Sequence, residues 1–316
     1  MRIVLFILGL LLAVFLVVAG LVITQDFQIY PEVTRARIAR YRGIRVEAPR
    51  DITRLSVLTV DKETLDVWYL KAKKQFPPVD MPISQRVFLG RVDSDESVGP
   101  TVGTRRRFRR DELPRVAIIF RGTDLPISAY LPMQRWLEEL GISSYVVDYR
   151  GFGESSGWPT EEGFNIDADA VWSEVIQREK VKPKQVVVIG HAIGASVAAQ
   201  ISSDYQPGAL LLVSAFTSLK DIISIRPVIG SFVSLLHSTF EVEDYVGRLF
   251  NTCLIVAHGE GDKVVLDSNA RKLAKAYRGD NKVYLVTAKR ANHNNTFEAT
   301  KGKLTEALMR CYADGL

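Results

Sequence analysis

The sequence predicts an α/β protein with a mostly parallel central sheet, helices on both faces of that sheet, and an apolar helix ahead of it. Two observations predict this class. From residue 115 onward, short runs rich in Val, Ile and Leu alternate with helical segments, as in a parallel sheet covered by helices. Ahead of that region, residues 3–23 form an apolar run without a charge. The 316 residues suffice for one anchor and one large domain.

The apolar run predicts a transmembrane anchor over residues 1–24. A helix of this length spans roughly 30 Å, the thickness of a bilayer core. A secretory signal has a shorter apolar stretch and a small-residue cleavage site, which residues 18–20 match poorly, so an uncleaved anchor is favoured. Four arginines follow the run within residues 35–42, and the positive-inside rule then places the downstream domain on the cytoplasmic side.

The segments after the anchor predict a linker and a globular domain. Residues 25–51 are predicted to be a juxtamembrane linker, and residues 52–316 the domain. Residues 52–60 and 64–70 are rich in β-branched and apolar residues, which favours a β-hairpin. Residues 74–114 are long, polar and arginine-rich, and we interpret them as an insertion between early strands.

The rest of the domain is assigned by its alternating pattern. Strands are predicted at residues 116–120, 144–148, 185–189, 209–213, 253–257 and 282–286, and helices at residues 130–140, 168–179, 193–202, 267–277 and 295–312. Residues 216–250 interrupt the alternation. They predict a small lid over the carboxyl edge of the sheet.

A glycine-flanked turn is predicted where the third of these strands meets its helix. Gly190 and Gly194 flank His191, Ala192 and Ile193, and a β-rich run precedes them. This is the context of the nucleophile elbow G-x-S-x-G, in which a strained turn presents the central side chain at the top of the sheet. The central residue here is Ala192. By themselves the two glycines could equally serve close helix–strand packing.

An acid and a base follow the turn in chain order. Asp262 comes just after one predicted strand, and His293 comes just after the next. Open parallel sheets place their sites at the carboxyl ends of strands, where all three positions fall. The order nucleophile position, acid, base is that of α/β-hydrolases and differs from that of the chymotrypsin and subtilisin types.

These motifs, with the Asp148-Tyr149-Arg150-Gly151 loop after the second strand of the alternation, resemble those of the α/β-hydrolase superfamily. The resemblance is to its membrane-anchored serine hydrolases with small lids, which include depalmitoylase-like and lysophospholipase-like members, and it covers roughly residues 115–312. It implies the α/β-hydrolase fold, His293 as general base and Asp262 as its orienting acid. It also implies an oxyanion hole formed by the backbone N–H groups of Thr123 and Ile193.

The sequence departs from the family pattern at two places. The family has a His-Gly pair where this chain has Arg121-Gly122, and we expect Arg121 to pair with a buried acid in preference to binding an anion. Ala192 has no hydroxyl, so no acyl-enzyme can form. Loss of one member of a triad leaves only the residual rate from binding and oxyanion stabilisation, on the order of a thousandfold over water.

Other classes of function have little support in the sequence. The net charge of +5 is modest and fits a membrane surface better than nucleic acid. The four histidines lack metal-ligand spacing, and there is no phosphate-binding glycine loop, so we expect neither a metal nor a cofactor. For Cys253 and Cys311 we favour two buried thiols over a disulfide. Nothing in the sequence indicates an oligomeric state.

Two functions remain open at this point. One is hydrolysis of a carboxylic ester or thioester with an acyl or lipid substrate, by a chain that should be inactive as written. The other is a pseudoenzyme that binds an acyl ligand or a protein partner at the membrane without turnover. Alanine at position 192 is compatible with an engineered knockout and with a natural loss.

Overall fold

In the computed structural model, residues 9, 12, 20, 30, 46–74, 113–224, 238–280 and 282–313 are described. The strands are β1 (Thr53–Leu58), β2 (Thr64–Leu70), β3 (Val116–Phe120), β4 (Ser143–Val147), β5 (Val186–His191), β6 (Ala209–Val213), β7 (Cys253–Gly259) and β8 (Val283–Ala288). The helices are α1 (Leu131–Glu139), α2 (Glu161–Glu179), α3 (Gly194–Tyr205), α4 (Leu219–Ser224), α5 (Val242–Val246), α6 (Ser268–Ala276) and α7 (Thr296–Ala313).

The eight strands form one sheet in the order β1-β2-β4-β3-β5-β6-β7-β8. The β1–β2 and β2–β4 pairs are antiparallel, and every later pair is parallel. The prediction of a mostly parallel sheet is therefore confirmed. Because β3 to β8 run the same way, their carboxyl ends meet at one edge, which we call the carboxyl edge. The β1–β2 turn lies at this edge too, since β1 runs in the direction of β4.

The central strands are buried on both faces because helices cover both. Every residue of β3, β4, β5, β6 and β7 is buried. Alternate side chains belong to two separate apolar clusters, so that Ile118 and Val188 lie in one and Ile119 and Ile189 in the other. Continuous apolar runs of this kind are typical of parallel strands covered on both faces.

Helix α2 is longer than the sequence pattern predicted. It begins at Glu161, whereas we expected a start at residue 168. The earlier start has a local cause, because the Thr160 side chain accepts a hydrogen bond from the Gly163 N–H and so caps the first turn. Glu161 and Glu162 add negative charge at the positive end of the helix dipole.

Several predicted segments lie wholly or largely outside the described residues. These are the anchor at residues 1–24, most of the linker at residues 25–51, nearly all of the insertion at residues 74–114, and residues 225–237 of the lid. The described part of the lid contains α4 and α5, held together by backbone hydrogen bonds from Val242 and Glu243 to the Thr217 carbonyl. Among the described residues, no helix has both the length and the apolar character needed to cross a membrane.

One residue of the predicted linker belongs to the core of the domain. Tyr30 is 1% exposed and lies in the same apolar cluster as β3 and β5. Its ring meets those of Phe152, Phe164 and Phe240 edge-on or nearly so, with centroids 5.4–6.5 Å apart. The buried core thus includes a residue well ahead of β1.

The two cysteines form a disulfide. Cys253, at the start of β7, is bonded to Cys311 in α7, and both residues are fully buried. The prediction of two free thiols is therefore wrong. It rested on how often free cysteines are buried in proteins. The sequence alone does not show that α7 packs along β7 and brings the two Cα atoms, 58 residues apart in the chain, to 5.8 Å.

Candidate active site

The turn between β5 and α3 has the backbone of a nucleophile elbow. Ala192 has a φ of +51°, in the left-handed region that residues with a Cβ seldom adopt. Its N–H donates to the Val213 carbonyl at the end of β6, and its carbonyl accepts from the Ala195 N–H in the first turn of α3. These two bonds fix the turn whatever side chain occupies position 192.

The flanking glycines are required by close backbone contacts. A Cβ added at Gly190 would lie 2.6 Å from the Ala195 Cα, and one added at Gly194 would lie 2.2 Å from the Phe120 carbonyl oxygen. Both neighbours are backbone atoms of packed elements, so they cannot move aside. The two glycines therefore let α3 pack against β5 and β3 more closely than any residue with a Cβ would allow.

The predicted acid and base are in contact. Asp262 lies in the turn after β7, and His293 lies in the loop between β8 and α7. The distance from Asp262 Oδ2 to His293 Nδ1 is 2.8 Å. This bond holds the tautomer and the direction of the imidazole ring, and it leaves Nε2 as the nitrogen that can accept a proton from a reacting group.

Asp262 is held as a carboxylate. Burial on its own would raise the pKa of Asp262, but hydrogen bonds to His258, to His293 and to the Val265 N–H outweigh burial and hold this pKa well below its usual value. The Val264 N–H also donates to Oδ1, at 2.8 Å. The acid thus has a fixed position and a fixed charge beside His293.

His258 is a second histidine in contact with Asp262. Its Nε2 bonds to the Val265 carbonyl at 2.9 Å and lies 3.4 Å from Asp262 Oδ2, and the residue is fully buried. The loop of His293 is tied to β6, since the Ser214 hydroxyl donates to the His293 carbonyl at 3.0 Å. Ser214 itself has a φ of +50° and follows β6 directly.

The loop after β3 lies against the elbow. A Cβ placed on Gly122 would lie 3.4 Å from the Ala192 Cβ and 3.2 Å from His191 Nδ1. Thr123 is buried next to it. Ile193 occupies the N-cap position of α3, where backbone N–H groups have no acceptor within the helix. Thr123 and Ile193 therefore belong to two segments that meet beside Ala192, as an oxyanion hole requires.

Arg121 fixes that loop from inside the protein. Its guanidinium is 1% exposed, pairs with Asp148, and donates to the carbonyls of Gly122 and Leu125. The Phe152 ring lies 4.8 Å beneath it. The expected pairing of Arg121 with a buried acid is confirmed. The arginine thus binds the loop at two points, the carbonyls of Gly122 and Leu125.

Tyr130 and His191 form a hydrogen-bonded link that the sequence did not reveal. The Gly122 N–H donates to the Tyr130 hydroxyl oxygen at 2.7 Å, and this hydroxyl lies 2.8 Å from His191 Nδ1. Burial, followed by the charge of His293, lowers the pKa of His191 to about 4, so its ring is neutral near pH 7. A neutral Nδ1 accepts the Tyr130 proton, and the link joins the loop after β3 to the elbow.

Three described serines were candidates to replace the hydroxyl that Ala192 lacks, and each of the three is engaged elsewhere or lies within a helix. Ser155 and Ser156 bond to backbone N–H groups of β2, at Asp66 and Thr64, and Ser196 lies inside α3. In the described part of the chain, no three His, Cys, Asp or Glu side chains are grouped so as to hold a metal ion. The candidate site therefore combines the Asp262–His293 pair with the loop that lies against Ala192, and the rings of His293 and His191, the residue before Ala192, are 5.7 Å apart.

Comparison with known proteins identifies the fold. The family model described as Serine aminopeptidase, S33, matches residues 113–248, which include the elbow and end before the acid and the base. The esterase Pf2001 of Pyrococcus furiosus superposes with a TM-score of 0.58 over 84% of this chain and 95% of its own, at 18% identity. The chain has the α/β-hydrolase fold. At this identity the likeness shows the fold alone.

Relatives in sequence match about half of this chain. The protein YfhR of Escherichia coli O157:H7 is 30% identical over 163 residues, which are 51% of this chain and 57% of YfhR. The membrane protein YNL320W of Saccharomyces cerevisiae is 28% identical over 162 residues, which are 50% of this chain and 57% of that protein. The chain thus spans little more than half the length of the curated relatives it matches.

Proposed function

We propose that this site is built to hydrolyse a carboxylic ester or thioester of an acyl or lipid substrate, and that the chain with Ala192 does not turn this substrate over. The observation that carries the proposal is the 2.8 Å bond between Asp262 and His293, set beside an elbow whose central residue keeps a φ of +51°. Esterases among the structural neighbours support the same class of reaction.

Each surviving part has a place in the reaction of a serine hydrolase. With serine at position 192, His293 would take the hydroxyl proton as the oxygen attacks the substrate carbonyl. The N–H groups of Thr123 and Ile193 would stabilise the oxyanion, and His293 would return the proton to the leaving group. Alanine removes only the attacking oxygen, so binding and oxyanion stabilisation remain.

A second function is favoured by Ala192 itself. A pocket that keeps its oxyanion donors but cannot form an acyl-enzyme binds an acyl ligand reversibly. The chain would then act as a pseudoenzyme that presents this ligand, or a protein partner, at the membrane. The two functions differ in whether the pocket regains turnover when the hydroxyl is restored.

We further propose that residues 1–24 anchor the chain in a membrane. The apolar run at residues 3–23 and the arginines that follow it support this proposal. So does the description of the relative YNL320W as a membrane protein.

The test is the substitution Ala192→Ser in the full chain. Because the backbone of residue 192 is already in the elbow conformation, the added hydroxyl should be tolerated with little overpacking. We expect activity on short p-nitrophenyl esters to rise on the order of a thousandfold or more. We also expect labelling by a fluorophosphonate probe, whereas the chain with Ala192 shows neither above background.

Two double variants control this test. Adding His293→Ala to Ala192→Ser should abolish both signals, since the general base is lost. Adding Ser196→Ala instead should leave both unchanged, because that serine lies inside α3. A folded Ala192→Ser variant that stays unlabelled would overturn the hydrolase proposal and leave the binding function.

A further inference from the structure

The carboxyl edge of the sheet carries the candidate site, and it also holds the chain segment nearest to the predicted anchor. Tyr30 lies among Phe152 in the loop after β4, Phe164 in the first turns of α2, and Phe240 just before α5. Phe152 also lies beneath Arg121, which fixes the loop next to Ala192. Tyr30 is therefore tied to the same edge as the site.

The length of chain between the apolar run and Tyr30 limits how far this edge can be from a bilayer. The run ends at Ile23, seven residues before Tyr30. An extended chain advances at most about 3.6 Å per residue, so the buried ring of Tyr30 lies within about 25 Å of the end of the run. With residues 1–24 in a membrane, a tether this short favours an orientation in which the carboxyl edge faces the bilayer.

Exposed apolar side chains lie at both ends of this edge. Leu58, the last residue of β1, is 67% exposed, and Val60, two residues later, is 90% exposed. Val264 and Leu266, in the loop after β7, are 53% and 52% exposed. The first pair lies at β1, the end strand of the sheet, and the second lies in the loop of Asp262 after β7, the last strand but one at the other end. Apolar groups placed in this way can enter the headgroup region of a bilayer.

The charges of the same loops favour an anionic lipid surface. The exposed cations are Lys62, Lys263, Lys289 and Arg290, and none of them forms an ion pair with another described residue. The acids of these loops, in contrast, have partners. Asp61 pairs with Arg150, Asp267 pairs with Arg271, and Glu260 accepts from Thr287. Each unpaired cation near an anionic leaflet contributes about 1 kcal/mol of attraction.

We propose that the carboxyl edge docks on the lipid surface in which residues 1–24 are anchored, with Tyr30 as the tether and with Val60 and Leu266 in contact with lipid. The site then opens towards the bilayer, where an acyl chain can enter it without crossing water. The docking goes beyond the proposed hydrolysis and rests on the proposed anchor. It requires no turnover, so it can be tested whatever the fate of the chemistry.

The test places a fluorophore at single introduced cysteines in the full chain, reconstituted in nanodiscs of phosphatidylcholine and phosphatidylserine. The sites are Val60→Cys and Leu266→Cys at the carboxyl edge. The matched control is Phe250→Cys, whose exposure of 62% lies between those of Val60 and Leu266 but which precedes β7 at the opposite edge. The native cysteines do not react because they are bonded and buried. Lipids with a doxyl quencher then report contact with the bilayer.

We expect the label at positions 60 and 266 to lose most of its fluorescence to the doxyl lipid, and the label at position 250 to keep it. Tyr30→Ala should restore much of the fluorescence at position 266, whereas Tyr30→Phe, which keeps the ring, should not. Equal quenching at all three positions, or quenching at position 250 alone, overturns the proposal. Turnover by the Ala192→Ser variant is measured separately, so failure of one proposal does not mimic failure of the other.

Discussion

The conformation of Ala192 is costly for the residue that occupies it. A left-handed backbone conformation costs a residue with a Cβ about 1 kcal/mol or more, and the side chain held in this conformation here carries no hydroxyl for catalysis. The turn keeps this shape because Gly190, Gly194 and the bond to Val213 define it. The elbow is thus a property of the surrounding backbone and does not depend on a nucleophile at position 192.

This strain predicts the effect of glycine at position 192. Ala192→Gly removes the Cβ clash and should raise the free energy of unfolding by up to about 1 kcal/mol, partly offset by the greater freedom of glycine in the unfolded chain. The matched control is Ala195→Gly inside α3, where glycine should lower stability by a similar amount. Urea unfolding checks both. A loss of stability in both variants would contradict the strain.

The neutral state of His191 predicts a dependence of stability on pH. Its folded-state pKa of about 4 lies below the usual value of 6.5. Between these values the unfolded chain binds more protons, so the free energy of unfolding falls as pH drops from 6.5 towards 4. We expect this group to remove about 2 kcal/mol between pH 7 and pH 5. Urea unfolding at both pH values measures it, and His191→Gln should lose this part of the difference.

Elements with a strong local pattern could be predicted from sequence, and contacts between distant elements could not. The strands that precede Ala192, Asp262 and His293 are apolar runs bounded by turns, so both their existence and their order along the chain were recognisable. The link from Tyr130 to His191 joins residues 61 positions apart and leaves no local mark. The same holds for the clamp of Arg121 on Leu125, whose geometry depends on the packing of Phe152.

The disulfide between β7 and α7 is a contact of this second kind, and its removal is predicted to be costly. Cross-linking residues 58 positions apart removes about 4 kcal/mol worth of chain entropy from the unfolded state. The double variant Cys253→Ala/Cys311→Ala should therefore lose about 2–4 kcal/mol of stability in urea. Non-reducing alkylation of the native chain should find no reactive thiol. Labelling of both cysteines before reduction would show that the bond is absent.

The burial of Tyr30 makes the effect of truncation depend on where the cut is placed. Removal of residues 1–24 should leave a soluble, folded domain that keeps Tyr30. Removal of residues 1–45 should lower the free energy of unfolding by about 3 kcal/mol, since a buried aromatic ring is lost. Urea midpoints of the two truncated domains give the difference. Equal midpoints would show that Tyr30 adds nothing. If the domain without residues 1–24 aggregates while the full chain in detergent is monodisperse, the anchor packs on the domain.

Two features of the whole molecule favour opposite sides of the membrane. The arginines at residues 35–42 favour the cytoplasmic side for the domain. The disulfide favours an oxidising compartment, because such bonds are rare in the cytosol. A membrane-impermeant thiol reagent, applied to intact cells that carry the Phe250→Cys variant, distinguishes the two, because position 250 is exposed and lies away from the carboxyl edge. The arginines and the disulfide therefore predict opposite orientations of the domain.

The same covalent bond closes residues 253–311 into a ring that contains both the acid and the base. A single cut in the backbone of this ring, for example after the exposed Arg278, would leave the two pieces joined through sulfur. Asp262 precedes such a cut and His293 follows it, so the two residues would lie on different pieces. Because the disulfide keeps these pieces together, the hydrogen bond between Asp262 and His293 could survive the cut. The molecule would then be a two-chain protein, whose pieces would separate on reduction of the disulfide and not on proteolysis alone.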